Sequence, residues 1–344
     1  MEKLNPTDPS EVERVLALRM HVSRCLEGVG FNRSQLESIS LTPVDNYHKN
    51  VFFIKDVMAP GNDPLYVVKT LDKRIAWDVA EDGVRREHDI AFYASTMVPE
   101  LQPRTIAAWF AKTDTTPATV FYNYIGETAS PTMTPEQISA ISQESLELLR
   151  KLHLKTISKY YGTSIDEQKR ASEHYLNGLG AEKARYLLND IKRDLLDPTG
   201  EIQQKILEKW IPLLNKQSIF CLTHKDITLS NVLLRNEHVA TFIDWTHSRW
   251  DDPAYDIAYL AFWAIKHGHA DDFMTELSEL MPEYIASGID ISSTFPFFLA
   301  FKCIEYGRFK GKDWVNLGKS ILDTSSQSAS VNLLKEYVSS HAEI

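Results

Sequence analysis

Cysteine is scarce in this chain of 344 residues. The three cysteines, Cys25, Cys221 and Cys303, are odd in number and lie far apart in the sequence. A disulfide framework would need more cysteines, in pairs, so the sequence does not indicate one. This usage is natural in a reducing compartment, and we therefore expect a cytoplasmic protein.

The chain also lacks a long apolar run and an excess of positive charge. No stretch approaches the roughly 20 apolar residues that a membrane-spanning helix needs, and residues 1–9 are polar, without the apolar core of a signal peptide. The formal net charge of −10 argues against a nucleic-acid partner, which would favour a basic face. An acidic protein suits a cationic substrate, although many enzymes with neutral substrates are acidic too.

The length of the chain exceeds what one hydrophobic core comfortably holds. Single cores stop growing beyond about 250–300 residues, so this length predicts two lobes. Hydrophobic residues make up 43% of the chain and charged residues 24%, which is the composition of an ordinary soluble protein. Composition alone gives no fold, which has to be read from local patterns.

The first half of the chain contains clear strand patterns and one clear helix pattern. Residues 134–154 predict a long helix with apolar residues at helical spacing, and Thr134 is its expected N-cap with Gln137 three residues on. This helix is expected to be core. Short runs rich in β-branched and aromatic residues predict strands at 39–44, 51–57 and 65–71.

The most informative stretch is 220–260. Two apolar runs, 232–234 and 239–243, flank a polar turn and predict a β-hairpin. Asn231 lies just before the first run and Asp244 just after the second, so the hairpin would bring them together. Mg²⁺ takes hard oxygen ligands together with substrate phosphates and water. The pattern therefore predicts a magnesium site at the end of the hairpin.

Two further polar residues precede the hairpin. Asp226 lies five residues before Asn231 and is expected to orient an attacking hydroxyl and accept its proton. His224 is expected to tie the loop to the core in support. Each of these residues taken alone would be a turn, capping or structural residue, but the four at this spacing are typical of phosphoryl transfer.

The segments HKDITLSN and IDWTHSRWDDPAYDIA resemble the aminoglycoside phosphotransferase and choline kinase family. In that family the loop commonly reads His-Gly-Asp-Leu-His-Pro-Gly-Asn, and Ile-Asp-Trp is followed by Gly-Asp-Pro-x-x-Asp. The resemblance makes Asp226 the catalytic aspartate and makes Asn231 and Asp244 the metal ligands. Trp245 stands where protein kinases have the Phe of Asp-Phe-Gly, which favours a small-molecule kinase.

The chain departs from the family pattern within the loop. Lys225 replaces Gly, Thr228 replaces His, and Leu229 with Ser230 replaces Pro-Gly. We expect these changes to leave the chemistry of the site intact but to alter the conformation of the loop and therefore the substrate. The trailing structural segment of the family corresponds to Asp252, Pro253 and Asp256.

The resemblance implies an α+β, two-lobed protein-kinase-like fold. A small β-rich lobe, 1–125, would hold an N-terminal helix, an antiparallel sheet, a further helix and the nucleotide. A larger, mainly helical lobe, 126–344, would hold the catalytic loop, the metal site and the acceptor.

The resemblance also assigns the nucleotide contacts. Lys69 on the third strand would contact the α- and β-phosphates, and Glu87 on the following helix would pair with it, although His88 and Asp89 compete for that role. No Gly-rich phosphate loop is present, and residues 45–50 are only a candidate for one. Backbone groups of Asn123, Tyr124 and Ile125 would bind a purine and do not distinguish ATP from GTP.

The resemblance implies a Mg²⁺-dependent kinase that moves the γ-phosphate of ATP or GTP to a hydroxyl of a small, hydroxylated molecule. An aminoglycoside or a similar antibiotic is the preferred acceptor, which would make the protein a resistance enzyme, as a monomer or a homodimer. The same residues would serve a metabolic kinase for choline, homoserine or a sugar. A nucleotide-binding pseudokinase is the alternative outside enzymes.

Overall fold

The structure is a computed structural model, and it divides the chain into two compact units. The first comprises Met1–Ser95 and Gln102–Gly126, and the second comprises Thr96–Leu101 and Glu127–Ile344. In the part of the chain that is described, no helix has the length and apolarity to cross a membrane. The described residues are 20–28, 30–43, 51–56, 64–71, 81–101, 105–109, 118–123, 126–129, 132–159, 161–162, 200–214, 216 and 219–341.

The first unit is built on a five-stranded antiparallel sheet of order β1-β2-β3-β5-β4. The three strands predicted from β-branched and aromatic runs are confirmed as β1, β2 and β3, with ends shifted by one residue at most. The five strands are β1 Ile39–Pro43, β2 Val51–Asp56, β3 Pro64–Leu71, β4 Thr105–Trp109 and β5 Ala118–Asn123.

Two helices and a helical segment accompany this sheet. Residues 20–28 are helical and belong to the expected N-terminal helix, while residues 1–19 lie outside the described residues. Helix α1, Arg33–Ser38, has a capping box on Asn32, and helix α2 spans Glu81–Met97. Buried residues of 20–28 pack with β1, β2 and β3 into one core: Val22, Cys25, Leu26, Ile39, Ile54 and Val68.

The predicted long helix is confirmed in the second unit as α3, Pro135–Lys155. Its capping box is confirmed, because Thr134 accepts from the Gln137 amide and the Gln137 side chain accepts from the Thr134 amide. Glu144 on its side accepts hydrogen bonds from His238 and from the amide of Val239, at 2.7 and 2.6 Å. The long helix thereby braces the segment that carries the predicted hairpin.

The remaining helices of the second unit form an aromatic-rich core. Phe262, Phe295 and Phe297 are almost fully buried there. A π-helical turn, Ile206–Trp210, separates two short helices that begin at Glu201 and Ile211. The helices are α4 Glu201–Lys205, α5 Ile211–Leu214, α6 Ala254–Lys266, α7 Ala270–Ala286, α8 Ile291–Lys310, α9 Lys312–Asp323 and α10 Gln327–Ser340.

Two small sheets in the second unit position the loop of interest. Strands β8 and β9 form the predicted hairpin, with β6 at its edge, and β7 pairs antiparallel with β10. The end of α3 holds the second sheet, because Thr156 accepts from the Leu222 amide and from the Trp250 indole. The strands are β6 Glu127–Thr128, β7 Cys221–Thr223, β8 Val232–Arg235, β9 His238–Phe242 and β10 Arg249–Asp251.

Candidate active site

The end of the β8–β9 hairpin brings Asn231 close to the residue before Asp244. The amide of Ile243 donates to the carbonyl of Asn231 at 2.9 Å, which continues the ladder that pairs Val232 with Phe242. The two residues predicted to hold a metal, Asn231 and Asp244, therefore lie at the same end of one hairpin. The hairpin arises because two short apolar runs flank the turn at Asn236 and Glu237, both of which have positive φ.

Asp244 has an unusual backbone conformation. Its φ of 62° lies in the left-handed region, which aspartate tolerates better than most residues because its short side chain can form local hydrogen bonds. Here one carboxylate oxygen accepts from the Thr246 hydroxyl at 2.6 Å. A 3₁₀ turn, Trp245–His247, follows, and the buried Trp245 indole donates to the Phe242 carbonyl. The turn fixes the direction of the Asp244 carboxylate.

Asn231 fixes the predicted catalytic residue, Asp226. The Asn231 side-chain nitrogen donates at 2.9 Å to both the backbone carbonyl and the Oδ2 atom of Asp226. With its nitrogen engaged in this way, the amide is left with Oδ1 as its acceptor atom, and Oδ1 accepts no hydrogen bond within the described part of the chain. The orientation of Asn231 therefore suits an oxygen ligand for a cation.

The donor set fits a hard divalent ion in part. Asn231 and Asp244 offer one amide oxygen and one carboxylate, which suits Mg²⁺ when phosphates and water complete the coordination. Among the residues that the structure describes, no group of three or more His, Cys, Asp or Glu side chains could hold a metal ion. A metal at this place would therefore depend on the substrate for several of its ligands.

His224 is buried and neutral in this arrangement. Its Nε2 atom donates to the carbonyl of Ile243 at 2.9 Å, and its Nδ1 atom faces the amide of Asp226 at 3.4 Å. Because Nε2 must carry the proton, Nδ1 is the acceptor. Burial lowers the pKa of the imidazole, and the neighbouring carboxylates of Asp256 and Asp226 oppose this shift. His224 thus joins the loop that carries Asp226 to the residue that follows β9.

Asp256, at the start of α6, anchors the loop backbone. Its fully buried carboxylate accepts from the amides of His224 and Lys225 at 2.8 and 2.7 Å, and it lies 3.2 Å from the Nε2 atom of His153. Charged hydrogen bonds to backbone amides are strong in a buried setting. The sequence placed Asp256 in a structural segment but did not reveal that it holds the residues next to Asp226.

Lys225 and Asp251 form an ion pair that the sequence did not reveal. The Lys225 ammonium lies 2.9 Å from Oδ2 of Asp251, and the two side chains are 1% and 3% exposed. The same ammonium lies 4.2 Å from the centre of the Tyr255 ring. Burial lowers the pKa of Lys225, and Asp251 opposes this shift. The two residues are 26 positions apart, so no local pattern links them.

In the first unit, the predicted pair of Lys69 and Glu87 is formed. The ammonium lies 2.6 Å from Oε2 of Glu87, and the two side chains are 20% and 7% exposed. His88, a competing candidate, lies 3.0 Å from Asp89. The pair forms because Lys69 lies on β3 and Glu87 on the helix that follows it.

The residues predicted to bind a purine are only partly described. Asn123 is the last residue of β5, where it pairs with Tyr66 of β3. Tyr124 and Ile125 lie outside the described residues, as does the candidate phosphate loop at 45–50.

The chain is similar to known phosphotransferases in sequence and in structure. A family model described as "Phosphotransferase enzyme family" matches residues 81–282. No curated protein matches the chain.

Among solved structures, the chain is similar to the apo form of a thermostable mutant of aminoglycoside phosphotransferase APH(4)-Ia, with 13% identity and a TM-score of 0.51, covering 90% of this chain and 98% of that one. A ternary complex of that enzyme with ADP and hygromycin B gives 14% identity and a TM-score of 0.52, with 86% and 95% covered. Macrolide 2'-phosphotransferase type I gives 16% identity and a TM-score of 0.50, with 95% and 100% covered.

Proposed function

Because the chain belongs to the phosphotransferase enzyme family and has the predicted α+β, protein-kinase-like fold, we propose that it transfers the γ-phosphoryl group of ATP or GTP to a hydroxyl of a small molecule. One observation carries the proposal: Asn231 holds the Asp226 carboxylate with its nitrogen at the same hairpin end that carries Asp244. A base and two oxygen ligands within one short segment are what hydroxyl phosphorylation needs.

The proposed step is an in-line displacement at the γ-phosphorus. The acceptor hydroxyl oxygen forms a bond to phosphorus while the bond from phosphorus to the β,γ-bridging oxygen breaks and the nucleoside diphosphate leaves. Asp226 orients the hydroxyl and accepts its proton, and Asn231 keeps the carboxylate in place. Because the transition state is loose, positioning contributes more than covalent assistance.

Asn231 and Asp244 are the residues proposed to hold Mg²⁺ against the nucleotide. Bound there, Mg²⁺ would offset the negative charge of the phosphate oxygens. Lys69, held by Glu87, is proposed to contact the α- and β-phosphates as a fixed positive charge. Backbone groups of residues 123–125 are proposed to bind the purine.

An aminoglycoside or a similar hydroxylated antibiotic is the acceptor we propose first. Two of the similar structures are an aminoglycoside phosphotransferase and a macrolide phosphotransferase, and the first of them contains ADP and hygromycin B. A net charge of −10 suits a cationic acceptor. A cytoplasmic location is proposed because the three buried cysteines are free thiols, which suits a reducing compartment.

The test is a panel of acceptors with the purified full chain. Hygromycin B, gentamicin, a macrolide, choline, homoserine and a simple sugar are each incubated with Mg²⁺ and ATP or GTP, and the release of nucleoside diphosphate and the gain of one phosphoryl group by mass are measured. Phosphorylation of an antibiotic that is lost in Asp226→Asn supports the proposal. Turnover of choline with no antibiotic would move the chain to a metabolic kinase, and nucleotide binding without any transfer would make it a pseudokinase.

A further inference from the structure

Lys225 occupies a position that is unfavourable for a lysine in two ways. Its φ of 70° lies in the left-handed region, where a Cβ atom is strained and glycine is preferred. Lys225 is also only 3% exposed, and lysine is almost never buried without a partner. It also lies directly before Asp226, the proposed base. A lysine at this place therefore has to be held there by its surroundings.

Both ends of Lys225 are held. Its amide donates to Oδ1 of Asp256 at 2.7 Å, and its ammonium donates to Oδ2 of Asp251 at 2.9 Å. The face of the Tyr255 ring, 4.2 Å away, lies under the same ammonium. The second oxygen of Asp251 accepts from the amide of Asp252 at 2.8 Å, so this carboxylate is itself fixed in direction. The side chain and the backbone of Lys225 are thus tied to different residues.

Asp251 is well placed to hold the loop. It is the last residue of β10 and pairs with Cys221, the first residue of β7, whose end leads into the loop. In the family pattern given above, glycine stands at the position of Lys225 and also at the position of Asp251, before Asp-Pro. At both of these positions the chain departs from the pattern, and the two new side chains contact each other. Removing either one would leave a buried charge without the partner seen here.

We propose that Lys225 and Asp251 act together as positioning residues for Asp226. The ion pair holds residue 225 in its left-handed conformation, and this conformation sets the direction in which the backbone presents the next side chain. Neither residue is assigned contact with the reacting atoms. The effect on kcat can be measured only if the proposed function is right, so this part of the inference rests on it. The geometry of the loop can be measured without any acceptor.

A lysine elsewhere in the second unit provides a matched control. Lys209 donates to the carbonyls of Leu322 and Thr324 at 2.8 and 2.6 Å, and it lies 4.7 Å from the Trp210 ring centre. Like Lys225, it places its ammonium over an aromatic ring, but it lies in a helical segment and not in a strained turn. Lys209→Met should lower the melting temperature and leave turnover unchanged.

The activity test compares Lys225→Gly, Asp251→Gly, the double variant and Lys209→Met in the full chain. With the acceptor that the panel identifies, each of the two single glycine variants should lower kcat by about tenfold or more, while the KM for Mg²⁺·ATP stays within about twofold. The double variant should recover to within about threefold of the parent kcat, because it removes both charges together. Because a loss of folded protein would also lower the apparent kcat without changing KM, kcat is calculated per molecule that binds Mg²⁺·ATP.

The second measurement is hydrogen exchange at the amides of His224 and Lys225, which both donate to Asp256. Lys225→Gly should raise their exchange rate by about tenfold or more, and the double variant should return it toward the parent value. This result stands even if no acceptor is found, so failure of the proposed function and failure of the inference can be told apart.

Two results would overturn the inference. One is that both single glycine variants match Lys209→Met in kcat and exchange. The other is that their losses add in the double variant. If a single variant does not fold, the test rests on hydrogen exchange in the double variant. Exchange at residues 224 and 225 near the parent rate supports the inference, and fast exchange there in a folded double variant contradicts it.

Discussion

The side chain of Asn231 donates to the carboxylate of Asp226 at 2.9 Å and to its backbone carbonyl at the same distance. One amide thereby fixes the proposed base through its nitrogen and keeps its oxygen for a cation. The proposed base and the proposed metal site share a residue, so a change at Asn231 should disturb both, whereas changes at Asp226 and Asp244 should separate them.

Asp226→Asn should slow transfer strongly and spare nucleotide binding. The new amide can still accept from Asn231 through its oxygen, so the loop keeps its shape, but it no longer accepts the hydroxyl proton. Loss of a general base typically lowers the rate by about 10²–10⁴-fold. We expect kcat to fall in this range with the Kd for Mg²⁺·ATP within about threefold. Turnover near that of the parent would show that Asp226 is not the base.

Asp244→Asn should raise the Mg²⁺ requirement. Asparagine tolerates the φ of 62° at this position, so the change removes a charge without straining the turn. We expect the Mg²⁺ concentration for half-maximal turnover to rise by about tenfold or more. Thr246→Val is the matched variant, because it removes only the hydroxyl that donates to Asp244 and should give a smaller rise. An unchanged Mg²⁺ titration in Asp244→Asn would exclude it as a ligand.

Much of this arrangement could be predicted from sequence because it is local. Apolar runs on both sides of a polar turn specify the β8–β9 hairpin and hence the closeness of Asn231 to the residue before Asp244. The capping box of Thr134 and Gln137 is a pattern within four residues. The pair of Lys69 and Glu87 was expected by resemblance, from their places on a strand and on the following helix.

The rest depends on contacts between residues far apart in the chain. The charges of Lys225 and Asp251 are 26 residues apart, and each reads as an ordinary surface residue until the β7–β10 pairing brings them together. The hydrogen bonds that Asp256 accepts from the amides of His224 and Lys225 span 32 and 31 residues of the sequence. The left-handed conformation of Lys225 was also not foreseen, although the glycine of the family at that position was a signal for it.

Asp256→Asn should destabilise the second unit. The carboxylate accepts two backbone amides, and an asparagine side chain can accept with only one of its two terminal atoms, so one buried N–H group would face another. We expect the free energy of unfolding to fall by about 2–3 kcal/mol, measured by urea unfolding. Asp290→Ala, which removes an exposed helix cap, should cost about 1 kcal/mol. Equal losses in the two variants would contradict the anchoring role.

His224 should make the chain less stable at acidic pH. Its buried imidazole donates to the Ile243 carbonyl, and burial lowers its pKa from the ordinary value of 6.5, so the folded chain binds fewer protons than the unfolded chain as the pH falls below that value. The stabilisation is fully present above pH 6.5 and is lost on acidification, at no more than about 1.4 kcal/mol per pH unit for one proton.

His224→Gln keeps a donor for that carbonyl but does not titrate, so it isolates the effect of this one residue. His21 and His267 also have pKa values lowered by burial and act in the same direction, but they are unchanged between the two proteins. We expect the difference in unfolding free energy between parent and variant to shrink when the pH is lowered from about 7.5 to about 5.5. Parallel stability curves over this range would mean that His224 is protonated equally in the folded and unfolded chain.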